Sequence, residues 1–186
     1  MINVSHIESG SYVNGAGKRF VIWVQGCSFH CPGCGNPDTW SFERKMLYSA
    51  HDLFVMISKE PSITGVTLSG GEPFLQAKEL FQLAKEIKEK TKLTLHIFTG
   101  FELEELKTQE QINLLNLTDT LVYGRFDISK PDNNQKVWRN PRSHEFWEFN
   151  NTDVEIDIAE NGNVSISGFP TKELIDDIEE VQNERI

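Results

Sequence analysis

Cys27-Ser-Phe-His-Cys31-Pro-Gly-Cys34 follows closely on a short apolar run, Arg19-Phe-Val-Ile-Trp-Val24, and holds every cysteine of the chain. A continuous apolar segment of this length predicts a buried parallel strand, so the cysteine loop starts where that strand ends. Three thiols at a C-x3-C-x2-C spacing can wrap one small metal centre. Ferredoxin-type 4Fe-4S centres close their shell with four cysteines; three leave one iron open, much as catalytic metal sites keep a vacant position. A structural Cys3His zinc site using His30 and a set of unrelated reduced thiols are the alternatives. The spacing speaks against zinc, whose ligands come from two separated pairs, and makes His30 a solvent-facing loop residue.

Working outward, Thr64 to Leu68 reads as a second strand running into Ser69-Gly-Gly-Glu-Pro73. Phe74 to Lys90 then predicts an amphipathic helix with Leu80, Leu83, Ala84 and Ile87 on one face. A third strand, Leu93 to Phe98, ends at Thr99-Gly100, and Glu102 to Leu117 predicts one or two short helices. The fourth strand, Thr120 to Tyr123, ends at Gly124-Arg125. Between the cysteine loop and the second strand, Ser49 caps a helix reaching Lys59, after a polar bridge. Upstream, weak alternation from Ile2 to Ile7 predicts an edge strand, followed by a turn-rich loop at Gly10, Asn14, Gly15 and Gly17.

Alternating strands and helices imply right-handed parallel crossovers, with the cysteine loop, the Gly-Gly-Glu-Pro turn, Thr99-Gly100 and Gly124-Arg125 all at one end of the sheet. That end is where parallel α/β proteins build their sites. A full eight-unit barrel takes about 250 residues, so Arg19 to about Asn140 has room for roughly four or five units. The expected fold is therefore α/β, a partial, open (β/α) barrel. Its open side admits a polypeptide loop more readily than it encloses a metabolite, unless a partner or the C-terminal segment covers it.

Asp127 to Gln135 is a polar loop, and Val137-Trp-Arg-Asn-Pro-Arg142 is expected to return over the active face. Val154 to Ile158 and Val164 to Ser167 flank Asn161-Gly162, a hairpin signal, and Pro170 to Gln182 predicts an acidic amphipathic helix. Residues 1–150 thus form the partial barrel, with 151–186 as a C-terminal β-hairpin and helix appended to the same domain and capping the sheet edge.

The net charge of −10 over 186 residues argues against nonspecific binding to nucleic acid. The stretch Met1 to His6 carries no basic n-region or apolar h-region, and no segment reaches transmembrane length, so a cytoplasmic protein is expected. An odd number of cysteines confined to one loop excludes a disulfide framework and suits a reducing compartment.

The cysteine loop followed by Ser69-Gly-Gly-Glu-Pro73 resembles the radical S-adenosylmethionine (SAM) superfamily. The resemblance implies one 4Fe-4S cluster on Cys27, Cys31 and Cys34, with the amino and carboxylate groups of SAM chelating the open iron. Reduction then cleaves the sulfonium and releases a 5'-deoxyadenosyl radical. It also implies cofactor-binding roles for Ser69, Gly70, Gly71 and Glu72 around the amino group, for Gly33, Cys34 and Gly35 against the adenine, and for Thr99. Arg125 would pair with the cofactor carboxylate. The plainer alternatives are loop glycines at Gly33 and Gly35 and a surface arginine at Arg125. Trp40 and Trp138 read as packing residues. With no further cysteines for auxiliary clusters, electrons are expected from an external flavodoxin or ferredoxin.

Val13-Asn-Gly-Ala-Gly-Lys-Arg19, Cys31-Pro-Gly-Cys34, Asn36 with Thr39-Trp40, Thr99-Gly100-Phe101 and Tyr123-Gly-Arg-Phe126 together resemble a narrower family, the activating proteins of anaerobic ribonucleoside-triphosphate reductase. Its members abstract hydrogen from a glycine of a partner glycyl radical enzyme. The chain departs from that family at Gly35, where an aromatic residue is usual, at Trp138-Arg-Asn-Pro-Arg-Ser143, and in its hairpin tail. A stand-alone radical SAM enzyme acting on a small molecule or peptide, and a non-enzymatic iron-sulfur or zinc module, are the other readings.

Overall fold

The computed structural model describes residues 1–130, 134–144, 153–158, 164–168 and 171–183. A seven-stranded sheet contains β1 (Ile2–Ser11), β2 (Arg19–Val24), β3 (Met46–Tyr48), β4 (Gly65–Gly70), β5 (Thr94–Phe98), β6 (Thr120–Tyr123) and β7 (Lys136–Arg139), in the order β3-β1-β2-β4-β5-β6-β7. Strands β2, β4, β5 and β6 run parallel; β1, β3 and β7 pair antiparallel at the two flanks. Helices α1 (Ala50–Lys59), α2 (Ala77–Lys90) and α3 (Gln109–Leu117) make the crossovers. Among the described residues no helix is long and apolar enough to cross a membrane.

Alternation along the strands sends two different sets of side chains to the two faces. Phe20, Ile22, Val24, Val66, Leu68, Leu95, Ile97 and Leu121 meet Leu53 and Ile57 of α1, Leu80, Leu83, Ala84 and Ile87 of α2, and Leu114 of α3 in one buried cluster. Each fully buried Leu or Ile there contributes about 1.5–3 kcal/mol. Ser49 caps α1 in a capping box with Asp52, as its sequence predicts. The predicted helix from Phe74 divides into a 3-10 turn, Pro73–Gln76, and α2, since Pro73 cannot donate in a regular helix but fits a first turn.

The opposite face is polar low down and aromatic higher up. Arg19, Thr67, His96 and Thr120 are buried at its lower end, with Thr94 half-buried beside them. The loop between β1 and β2 fills that end: Thr67 donates to the Asn14 carbonyl (2.7 Å), and a Cβ at Gly15 would lie 2.3 Å from the His96 ring. Above it, His6, Trp23, Ser69 and Phe98 form one row across β1, β2, β4 and β5 by strand register.

Three expectations are corrected. β1 is not a plain edge strand: the polar bridge before α1 contains β3, which pairs with Ile2, Asn3 and Val4. The 137–142 segment does not return over the active face; β7 pairs with β6 and extends the sheet. The hairpin strands β8 (Val154–Ile158) and β9 (Val164–Gly168) pair with each other as a separate sheet instead of joining the large one at its edge. The Asn161-Gly162 turn and Pro170 lie outside the described residues, and α4 (Lys172–Asn183) follows.

Candidate active site

The cysteine loop leaves β2 and is pinned on all sides. Gly26 N and Cys27 N donate to the carbonyls of Thr39 (2.7 Å) and Trp40 (3.1 Å), and Cys34 N closes a turn onto the Cys31 carbonyl. Phe29 meets the Phe101 ring edge-on at 4.9 Å, while the Arg125 guanidinium stacks over Phe29 at 3.7 Å. His30 packs edge-on against Trp40 at 4.7 Å. Gly33 has φ +72 and lies beneath Ile128, whose Cγ2 would be 2.6 Å from any Cβ, so glycine is required there on two counts.

Cys27, Cys31 and Cys34 line one cleft of about 410 Å³ together with Ser69, Gly70, Gly71, Glu72, Thr99 and Gly100. Cys27 is buried and the other two are half-buried. Burial pushes the Cys27 and Cys31 thiols up from their ordinary range, and the neighbouring Glu72 carboxyl acts in the same direction. The backbone N–H of Asn36 donates to Cys34 Sγ at 3.4 Å, the kind of contact that tunes cluster sulfur.

Among the described residues no three His, Cys, Asp or Glu side chains form the close ligand group of a single ion. His30 stands against Trp40 and is not part of the cleft lining, so the Cys3His zinc set is not assembled. A four-iron cluster asks for soft thiolates spread around a body larger than one ion, and this donor set fits it.

The Gly-Gly-Glu-Pro turn is bound directly to the cysteine loop. Gly71 N donates to the Val24 carbonyl and Glu72 N to the Gly26 carbonyl. A Cβ at Gly71 would sit 2.4 Å from the Gly26 oxygen, and one at Gly70, with φ +95, 2.7 Å from the Trp23 backbone. Both glycines are therefore demanded by backbone contact between β2 and β4.

Glu72 is only 1 % exposed. Its Oε1 accepts from Phe74 N (2.8 Å) and Thr99 Oγ1 (2.7 Å), and its Oε2 accepts from Gly100 N (2.8 Å). It thereby ties the end of β4 to the end of β5. Thr99, a predicted cofactor residue, spends its hydroxyl on this tie. Burial raises the Glu72 pKa to about 7 against the pull of those three donors.

The native value lies above the unfolded one of 4.5. The stabilisation from the protonated form is thus complete below the unfolded value and is lost as pH rises through about 7, a loss on the order of 3 kcal/mol. Urea titrations of metal-free protein between pH 5 and 8 should show this slope, and Glu72→Gln should flatten it. A difference curve with no slope would mean that Glu72 does not titrate in this range.

Arg125 stands beside the cleft: its guanidinium pairs with both oxygens of Glu105 at 3.0 Å, donates to the Gly100 carbonyl and covers Phe29, while its charge acts on Cys31 and Glu72. It acts as a latch holding the cysteine loop down. A Cβ at Gly35 would meet nothing within 4 Å. Trp40 lines the cleft in addition to packing, and Trp138 packs against the core. Sequence reasoning missed Phe98, which strand alternation points to the cleft, Phe126, which it read only as part of the Tyr123-Gly-Arg-Phe126 motif, and Ile128, Gly168 and Thr171, which carry no local signal.

Residues 13–146 match the family described as 4Fe-4S single cluster domain. The anaerobic ribonucleoside-triphosphate reductase-activating protein of Enterobacteria phage T4 is 29% identical over 157 residues, covering 82% of this chain and 96% of its own. Its namesake from Haemophilus influenzae is 32% identical over 134 residues, covering 68% and 85%. The pyruvate formate-lyase-activating enzyme of Listeria monocytogenes is 41% identical over 90 residues, covering 44% of this chain and 36% of its own. Among solved structures, QueE from Escherichia coli aligns with a TM-score of 0.41 and 21% identity, covering 53% of this chain and 52% of that one.

Proposed function

The chain belongs to the 4Fe-4S single cluster domain family and, within it, to the anaerobic ribonucleoside-triphosphate reductase-activating proteins, and from this we propose that it is a radical SAM activase that takes a hydrogen atom from a glycine of a partner glycyl radical enzyme. In this reading Cys27, Cys31 and Cys34 hold one 4Fe-4S cluster. SAM binds beside it along Gly33, Gly35 and Ser69 to Glu72, and an external flavodoxin or ferredoxin supplies the electron. When bound, cluster and SAM supply one-electron cleavage of the sulfonium, yielding methionine and the radical that abstracts hydrogen. Residues 1–150 act as an open partial barrel, with 151–186 appended to it.

The chain's own residues position and exclude. Gly70 and Gly71 let backbone approach the cofactor, and buried Glu72 fixes that turn through Thr99 and Gly100. The clamp of Phe29, Phe101 and Arg125 stops the cysteine loop from swinging out. The observation that carries the proposal is the backbone contact of Gly71 with Gly26, which puts the Gly-Gly-Glu turn and all three thiols around one cleft.

Anaerobically reconstituted protein, reduced with dithionite in the presence of SAM, should release 5'-deoxyadenosine and methionine. With an anaerobic ribonucleoside-triphosphate reductase added, electron paramagnetic resonance should detect a stable glycyl radical. Cofactor cleavage without that radical would reject the activase reading and leave the radical chemistry standing.

A further inference from the structure

The segment that leaves β6, Gly124 to Lys130, runs along the cysteine loop and meets it at three points in order. The Arg125 guanidinium covers Phe29, the backbone N–H of Phe126 donates to Cys31 Sγ, and Ile128 lies on Gly33. All three cysteine sulfurs accept backbone N–H bonds, but from different sources. Cys27 takes those of Phe29 and His30 and Cys34 that of Asn36, within or just past their own loop. For Cys31 the donor stands far along the chain, beyond β6.

The segment is held in the conformation that makes these contacts. Gln135 Nε2 donates to the Gly124 carbonyl (3.3 Å) and Asn134 Nδ2 to the Arg125 carbonyl (3.0 Å). Asp127 closes a turn, its Oδ1 accepting from Ser129 N (3.0 Å) and Ser129 Oγ (2.6 Å) and its carbonyl from Lys130 N (3.0 Å). That turn carries Ile128, which lines the cysteine cleft while 55% exposed. So much of the side chain stays in water that burial alone gains little from it. Its place on Gly33, between Cys31 and Cys34, gives it another use, as a cover over two of the three thiols. Hydrogen bonds to the sulfurs and exposure to solvent are the two levers by which a protein sets the potential of an iron-sulfur centre. An N–H aimed at sulfur favours the more negative, reduced state.

We infer that residues 125–128 form a strap over the cluster, in which the Phe126 N–H raises the reduction potential through Cys31 and Ile128 screens Cys34 and the cluster from solvent and oxidants. This rests on the 4Fe-4S reading of the cleft and adds positioning residues to it. The electron still comes from the external flavodoxin or ferredoxin; the strap changes only how readily the cluster accepts it.

Two measurements test the two contacts. In reconstituted protein, a redox titration followed by electron paramagnetic resonance compares Phe126→Pro, which lacks the N–H, with Phe126→Ala, which loses only the ring. At a fixed potential the proline variant should hold about tenfold less reduced cluster than the alanine variant, a shift of about 59 mV for one electron. Asp127→Ala, which loosens the turn, should shift wild type the same way by less, and it serves if proline prevents folding. In metal-free, reduced protein, iodoacetamide labelling read by peptide mass should be roughly threefold or more faster at Cys34 in Ile128→Ser than in wild type. Buried Cys27 is the internal reference.

Equal potentials in the proline and alanine variants, with Asp127→Ala also unchanged, would overturn the redox role. Cys34 labelling that ignores Ile128→Ser would overturn the screen. A wild type that takes up no cluster, yet shows the labelling difference, would reject the 4Fe-4S reading and the redox role with it, while the cover over the thiols would stand.

Discussion

Cys31→Ala is expected to lower iron and sulfide content after anaerobic reconstitution to about a tenth of wild type or less, and SAM cleavage with it, while leaving the fold intact. Cys31 is half-buried at the middle of the loop, and its removal leaves Cys27 and Cys34 at opposite ends of an eight-residue run. Two thiols cannot close three corners of a cluster, and no fourth cysteine exists in the chain to take over. The loop keeps its independent anchors at Gly26, Phe29, His30 and Gly33, so far-ultraviolet circular dichroism should be unchanged. Full cluster content together with undiminished cleavage in this variant would remove Cys31 from the ligand set.

Arg19→Met is expected to have the largest effect on stability, about 3 kcal/mol, from the loss of several hydrogen bonds around a buried group. The Arg19 side chain is fully buried. It donates to Thr67 Oγ1, Thr94 Oγ1 and the carbonyls of Ala16, Val66 and Thr94, at 2.7 to 3.3 Å. One guanidinium thereby joins β2, β4, β5 and the β1–β2 loop at the end of the sheet remote from the cysteines. Methionine fills similar space but donates to none of these groups, and the relief from desolvating the charge offsets only part of the loss. Arg19→Lys retains fewer donors without the fork and should fall between. Chemical denaturation of metal-free protein measures both; a cost under about 1 kcal/mol for the methionine variant would show that the network is dispensable.

Much of the fold was legible in the chain because its signals are local. The capping box at Ser49, the apolar face of α2 and the six-residue apolar β2 each follow from periodicity within a single element. Even the gathering of four odd loops at one sheet end follows from the order of strands and helices, since parallel crossovers leave little choice of topology. Arg19 illustrates the limit. It opens an apolar run, yet most of the acceptors around its buried side chain come from segments distant in sequence, on β4 and β5.

Arg125 and the hairpin show the same limit at the site. An arginine just past a strand is equally suited to a ligand carboxylate or to a protein one, and its contacts with Glu105, Phe29 and Gly100 come from folding, not from any local pattern. The hairpin strands were readable from alternation, but their seat beside the cleft depends on side-chain bonds to Tyr12 and Asn14 that no pattern encodes.

The sequence by itself determined the chemistry: three thiols in one short loop, a Gly-Gly-Glu-Pro turn, and a strand order that brings both to one end of a parallel sheet. Ligand type and spacing are properties of contiguous residues, so they survive without coordinates. Only the tertiary structure decided that Gly71 touches Gly26, that Glu72 faces Thr99 instead of solvent, and that Gly168 of β9 joins the lining of the cysteine cleft. Those are contacts between elements, set by how closely backbones can approach and by which buried polar groups find partners.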